Sequence, residues 1–272
     1  MHARIPIDDR EVGIDLSRPL DLALELDFSA AQPRHFGAPR ASARAFETAG
    51  FTGSVARGSS CNCDVISLIP HCNGTHTECA GHLTRERLDA WRVAPRGFVP
   101  ALLLSVVPEA PAGEDSEPLP LAGDQLITQR ALERAWPARV PFVPRALIIR
   151  TLPNSEAKRV CDYTALIPPY LSQQAAARLV SRGILHLVVD VPSIDRTHDE
   201  GRLTAHRIFF GLPRAATGLA LATRATATIT ELAFVPDEVA DGPYLLELQV
   251  PALAGDAVPS RPILYPLTER GR

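Results

Sequence analysis

The chain has 272 residues, a length that allows one large or two small domains and leaves ample material for a buried core. Hydrophobic residues make up 46% and charged residues 22%, which argues against a wholly disordered chain, and a net charge of −3 supplies no basic field for a nucleic acid. No apolar run approaches the ~20 residues of a membrane helix, and the opening MHARIPIDDREVGIDLS lacks the apolar core of a signal peptide, so a cytoplasmic chain is expected.

In chain order, residues 65–69 read as the first short strand, followed by 101–107. Residues 108–120 (PEAPAGEDSEPLP) are acidic and proline-rich, and read as a surface loop. Residues 124–136 predict a helix opened by Asp124 as its cap, with Leu126, Ile127, Ala131, Leu132 and Ala135 at helical spacing. Residues 146–151 read as a strand. Residues 172–182 predict a second helix, with Ser172 as N-cap and Gly183 just past its end. Further strands are expected at 184–191, 226–234 and 244–250. Strands outnumber helices and clean strand–helix alternation is missing, so a mixed α/β domain spanning 1–272 is expected rather than a doubly wound one.

Two compositional features narrow the chemistry. Lys158 is the only lysine, and no Gly-Lys pair exists to make a phosphate loop. Together with the lack of a nicotinamide loop, this predicts no organic cofactor. Five cysteines, four of them between Cys61 and Cys79, do not form an even disulfide framework. They surround the stretch from Pro70 to His82, PHCNGTHTECAGH, which holds three of the eight histidines. A single histidine in such a run is ordinarily a hydrogen-bonded core or surface residue. Imidazole, thiolate and carboxylate gathered around a glycine turn point instead to a zinc-like ion. The spacing lets Cys72, His76 and Glu78 converge around Gly74, with His82 beside them. A closed structural zinc site of Cys61, Cys63, Cys72 and His76 is a competing arrangement, although one-residue spacing is unusual for it.

This stretch resembles the H-x-G-T-H-x-D-x-P-x-H motif of the metal-dependent cyclase-like hydrolases, the family of bacterial kynurenine formamidase and isatin hydrolase. The likeness continues through GIDLS at 13–17, ALIIRT at 146–151, GILHLVVDVPSID at 183–195, TAHR at 204–207, ITEL at 229–232 and the ending at 250–264. The resemblance implies one domain of the swivelling β/β/α fold, with a barrel-like mixed sheet and flanking helices. It places His76 and Glu78 as metal ligands, Glu78 bridging where two ions bind. His206 and Glu231 complete a second metal position, and His82 carries the proton. Cys72 stands where the family has its first ligand histidine, and a thiolate there favours zinc over manganese or magnesium. Neighbours in an extended segment face opposite ways, so Cys72 is the expected ligand and His71 the fallback.

The resemblance further implies one or two Zn2+ ions, with Mn2+ as the alternative, a small-molecule substrate and a homodimer or higher homo-oligomer. The reaction expected is hydrolysis of a small amide, formamide or lactam, a metal-generated hydroxide attacking the carbonyl while His82 moves the proton. A lactonase, a cyclase or dehydratase, and a non-catalytic metal-binding relative are the alternatives. Three departures separate this chain from the motif: Cys72, the longer acid Glu78, and Ala80 in place of proline. The 25 positions from His206 to Glu231 also leave residues 208–224 as an extra loop or helix near the site, with Phe209 and Phe210 either lining the pocket or in the core.

Overall fold

The computed structural model describes residues 1–8 and 10–268. The chain begins with the hairpin β1 (His2–Ile7) and β2 (Arg10–Asp15), then β3 (Leu20–Asp21). Four short strands follow, β4 (Ser42–Ala45), β5 (Glu47–Thr48), β6 (Phe51–Thr52) and β7 (Asp64–Ser67), in which β4 pairs with β7 and β5 with β6. Next come β8 (His76–Cys79), α1 (Ala90–Val93), β9 (Phe98–Val106), β10 (Leu126–Ile127), α2 (Gln129–Ala135) and β11 (Ala146–Thr151). The chain continues through β12 (Tyr170–Leu171), α3 (Gln173–Ser181), β13 (His186–Val189), α4 (Thr204–Phe210) and β14 (Thr228–Glu231). It closes with β15 (Gly242–Gln249), β16 (Ala257–Pro259) and β17 (Arg261–Pro266).

Nine of these strands form a curled half-barrel sheet in the order β16-β8-β14-β13-β11-β9-β15-β17-β3. Its centre, β14-β13-β11-β9, is parallel, and antiparallel strands extend it on both sides. The central strands are covered on both faces, which is why β11 reads as the unbroken run ALIIRT with every residue buried. Alternation sorts the side chains. Leu102, Leu104, Leu147, Ile149, Leu187 and Val189 pack toward α2, α3 and α4. Leu103, Ile148 and Val188 pack on the opposite face with Tyr244 and Leu246. The expected mixed α/β architecture with a barrel-like sheet and flanking helices is the one observed.

The α3 expectation holds in detail: the Ser172 hydroxyl accepts from the Ala175 amide, and Gly183 takes φ +75° just past the helix. The other expected helix starts later. Thr128, not Asp124, caps α2, and Leu126 and Ile127 form β10, parallel to β12. Both side chains are fully buried, which two neighbouring residues achieve on the two faces of a strand. Asp124 instead accepts from Arg196 and from the Tyr170 hydroxyl, each at 2.8 Å. Residues 108–120 contain no helix or strand, as expected of a loop. No helix among the described residues is long and apolar enough to cross a membrane.

The single lysine has a structural place. Lys158 Nζ donates to Asp190 at 2.8 Å, to the Thr151 carbonyl at 2.6 Å and to the Thr151 hydroxyl at 2.9 Å. Asp190, at the end of β13, is buried, and burial pushes its carboxyl up against the pull of Lys158. Lys158→Met leaves that carboxyl without its cation and is expected to cost about 3–5 kcal/mol of stability, read by urea denaturation.

Candidate metal centre

Strand β8 delivers the first two donors. His76 and Glu78 lie two apart and so share a face, while Thr77 on the other face meets Thr230 with hydroxyl oxygens 2.7 Å apart. Register with the antiparallel β14 sets Glu231 opposite His76, their Oε2 and Nε2 atoms 3.4 Å apart. Before β8 the chain turns at Gly74, whose φ of +77° suits glycine, and His76 Nδ1 donates to the Gly74 carbonyl at 3.1 Å. That bond fixes the tautomer and leaves Nε2 as a free lone pair facing the acids.

Helix α4 brings in His206. Leu203 precedes it in a left-handed conformation and offers no side-chain cap. Asp195 does that work from a distant loop, accepting from the amides of Ala205 at 2.7 Å and His206 at 3.1 Å. The same carboxylate lies 2.6 Å from His206 Nδ1, which turns Nε2 to within 2.8 Å of Glu78 Oε1. Glu231 is held from behind by the Ile194 amide at 2.8 Å.

A second layer faces outward. His71 Nδ1 is 3.1 Å from Glu78 Oε2, and its Nε2 is 2.9 Å from Asp256. His82 Nδ1 is 3.2 Å from the same Asp256 oxygen, and its Nε2 is 3.9 Å from Glu78. The two rings lie 4.2 Å apart. Three sets of donors are thus close enough to hold an ion: Glu78, His206 and Glu231; His71, His76 and Glu78; and His71, His82 and Asp256. Glu78 belongs to two of them. It is buried, and although imidazoles approach both of its oxygens, neither oxygen completes a hydrogen bond; nor does His76 Nε2. Buried lone pairs left in this way are costly without a cation to receive them.

The charges are mutually dependent. Burial pushes Glu78 up, but the charges of His206 and His82 and the close approach of the His206 and His71 rings hold it well below the carboxylate range. Burial pushes His206 down, and Glu78 and Asp195 hold it well above the usual imidazole value. Burial likewise opposes charge on His71, yet the hydrogen bond to Asp256 and the adjacent Glu78 carboxylate raise it to about 10. Without metal, therefore, His71 and His206 hold protons that a bound ion must displace. Metal affinity is expected to rise as pH rises from 6 towards the His71 value, with release of about one or two protons per ion. Calorimetry in buffers of different ionisation enthalpy measures this; uptake independent of pH would contradict it.

His76, Glu78, His206 and Glu231 are brought together, and His82 stands beside them. Cys72 is not: it belongs to none of the three donor sets. Burial and the nearby charge of Glu231 push its thiol up, which keeps it protonated. The reason His71 takes part instead is local. Residues 70–72 form a turn, with the Cys72 and Asn73 amides both donating to the Ile69 carbonyl, so the alternation of an extended segment does not apply. Cys61 and Cys63 are exposed and belong to none of the three donor sets, and all five cysteines are unpaired. Phe209 and Phe210 are core residues, and 219–221 is a short 3-10 turn. Sequence reasoning missed Asp256, which no local spacing ties to His71 or His82. It also left Asp195 without a role, although the segment 183–195 that resembles the family contains it.

Residues 14–196 match the cyclase family model. No curated protein matches the sequence. Among solved structures, a potential metal-dependent hydrolase with cyclase activity is similar at 16% identity and a TM-score of 0.60, covering 91% of this chain and 97% of that one. A predicted metal-dependent hydrolase from Bacillus stearothermophilus is similar at 15% identity and TM-score 0.56, covering 91% and 98%. Isatin hydrolase A from Ralstonia solanacearum is similar at 16% identity and TM-score 0.58, covering 91% of each. At such identities the likeness is one of fold.

Proposed function

Because the chain belongs to the cyclase family, we propose that it is a metal-dependent hydrolase that cleaves the carbon–nitrogen bond of a small amide, formamide or lactam. The observation that carries this reading is Glu78, a buried carboxylate shared by two donor sets with both oxygens short of a hydrogen bond. The donors fit a metal. Imidazole and carboxylate suit zinc, and carboxylate-rich positions also accept manganese. His76, His71, Glu78, His206 and Glu231 would hold one or two such ions. A metal in this place polarises a carbonyl and acidifies water near neutral pH.

The chain's own residues supply the rest. Asp195 and the Gly74 carbonyl fix the tautomers of His206 and His76, so their lone pairs face inward. His82, a quarter exposed, lies between the donors and solvent, where an imidazole can take a proton from attacking water. Asp256 orients that ring through Nδ1. In the balanced reaction water adds to the carbonyl carbon, the carbon–nitrogen bond breaks, and His82 returns the proton to the departing nitrogen. A carboxylic acid and an amine result. That one similar fold is named an isatin hydrolase supports the lactam, since isatin is a cyclic amide.

The test is exhaustive chelation followed by a panel of formamides, lactams and lactones. Loss of turnover with return on adding zinc or manganese is expected. Full activity without metal overturns the reading, and turnover of lactones alone moves it to lactonase.

A further inference from the structure

Helix α4 has a second face. Thr204, Arg207 and Ile208 lie three and four positions apart and line a cavity of about 520 Å³. His206, two positions from both Thr204 and Ile208, is turned instead to Glu78 in the metal centre. The volume falls in the range of small-molecule pockets. Residues just beyond α4, in the 208–224 stretch that supplies no metal donor, continue the wall with Leu212, Arg214 and Ala215. Arg202 and Glu117 also line it.

The wall carries more positive charge than it neutralises. Glu117 Oε1 alone takes both Arg214, at 2.8 Å, and Arg202, at 3.4 Å. Glu200, outside the lining, takes Arg202 at 2.6 Å. Arg207 has no acid among the described residues. Its Nε donates to the Arg202 carbonyl at 3.0 Å, and its Nη1 donates to the carbonyls of Pro213 at 3.3 Å and Ala216 at 2.8 Å, which leaves Nη2 without an acceptor. Three guanidinium groups against two carboxylates leave one positive charge. A guanidinium short of a carboxylate is the group best shaped to take one from a ligand, through paired N–H donors. Ile208 and the buried Leu212 add apolar surface beside it.

We propose that this cavity is a second ligand site, separate from the metal centre, that binds a small organic monocarboxylate. The ligand's carboxylate lies on Arg207 and Arg214, and its apolar body lies against Ile208 and Leu212. One negative charge balances the wall, and the apolar surface rewards a hydrocarbon body that an inorganic anion lacks. Glu117 competes with the ligand for Arg214 and Arg202.

Isothermal titration of the metal-loaded full chain with benzoate tests this. Saturable binding is expected. Benzyl alcohol, which has the ring without the charge, and inorganic phosphate, which has charge without the ring, should each bind at least about 10-fold more weakly. Glu117→Gln keeps the side chain's volume and frees two guanidinium groups, so it should bind benzoate about 10-fold more tightly. Arg214→Gln should bind it about 10-fold more weakly, and Arg214→Lys should regain only part of that loss. Arg207 also anchors the turn at 213–216, whereas Arg214 is 74% exposed and can be replaced without disturbing a core. Neither Glu117 nor Arg214 belongs to a metal donor set, so metal content by atomic emission should match the parent's and reports an intact fold. Absence of benzoate binding overturns the proposal. So does binding that Glu117→Gln and Arg214→Gln both leave unchanged, which places benzoate on the metal instead. Phosphate bound as tightly as benzoate overturns the organic acid as ligand. No arm of the experiment measures turnover, so this proposal and the hydrolase reading fail separately.

Discussion

Glu78→Gln is expected to abolish metal retention and hydrolysis together, with kcat/KM falling by at least about 1000-fold, roughly 4 kcal/mol of transition-state stabilisation. The amide keeps the volume of the side chain and removes its charge. In the parent, Glu78 Oε1 lies 2.8 Å from His206 and Oε2 lies 3.1 Å from His71. Those contacts help keep His206 charged when no metal is present, and the same two oxygens belong to two donor sets. Removing the charge therefore weakens both metal positions at once. Neither His206→Ala nor His76→Ala does so, since each removes a donor from one set. Metal content by atomic emission, measured beside turnover, separates the cases. Glu78→Gln protein with the parent's metal content would show that the acid is not shared. Glu78→Asp restores the charge with one methylene fewer and should regain metal while only partly regaining activity, because the ion moves with the carboxylate.

Why the centre was partly legible in the sequence follows from the kinds of order that build it. Strands β9, β11 and β13 are covered on both faces and so appear as apolar runs that any reading finds. Strand β8 is equally buried but reads His-Thr-Glu-Cys, which has no hydrophobic period; only its donors mark it. His76 and Glu78 are recognisable because the period of a strand is two. Choosing between His71 and Cys72 required reading 70–72 as a turn, which Pro70 and the Asn73 side chain on the Ile69 amide favour, rather than as an extended segment. Helix α4 has seven residues and takes its cap from Asp195, nine residues before its first turn, so no local capping signal exists. Asp256 meets His82 across 174 positions, a contact that only the curl of the sheet creates. The helix misplaced at 124–136 failed for the converse reason: Leu126 and Ile127 fit a helical period by chance and are claimed by pairing with β12.

His82→Ala is expected to lower kcat by about 100- to 10,000-fold while leaving metal content and KM near the parent values. The geometry separates His82 from its neighbour. Both rings share Asp256, but His71 Nδ1 lies 3.1 Å from Glu78, whereas His82 Nε2 stands back at 3.9 Å. His71 is thus placed to hold an ion and His82 to face one. The two substitutions should divide accordingly: His71→Ala loses metal and activity in parallel, and His82→Ala loses activity with metal retained. Asp256→Asn tests the link between them. It keeps a polar group at Nδ1 of His82 but no longer stabilises the ring when it carries a proton, so a fall in kcat of about 10- to 100-fold is expected. If His82→Ala turned over at the parent rate and His71→Ala kept its metal, the roles would be exchanged. Asp256 would then serve His71 as the proton carrier, which its 2.9 Å contact with that ring would equally permit.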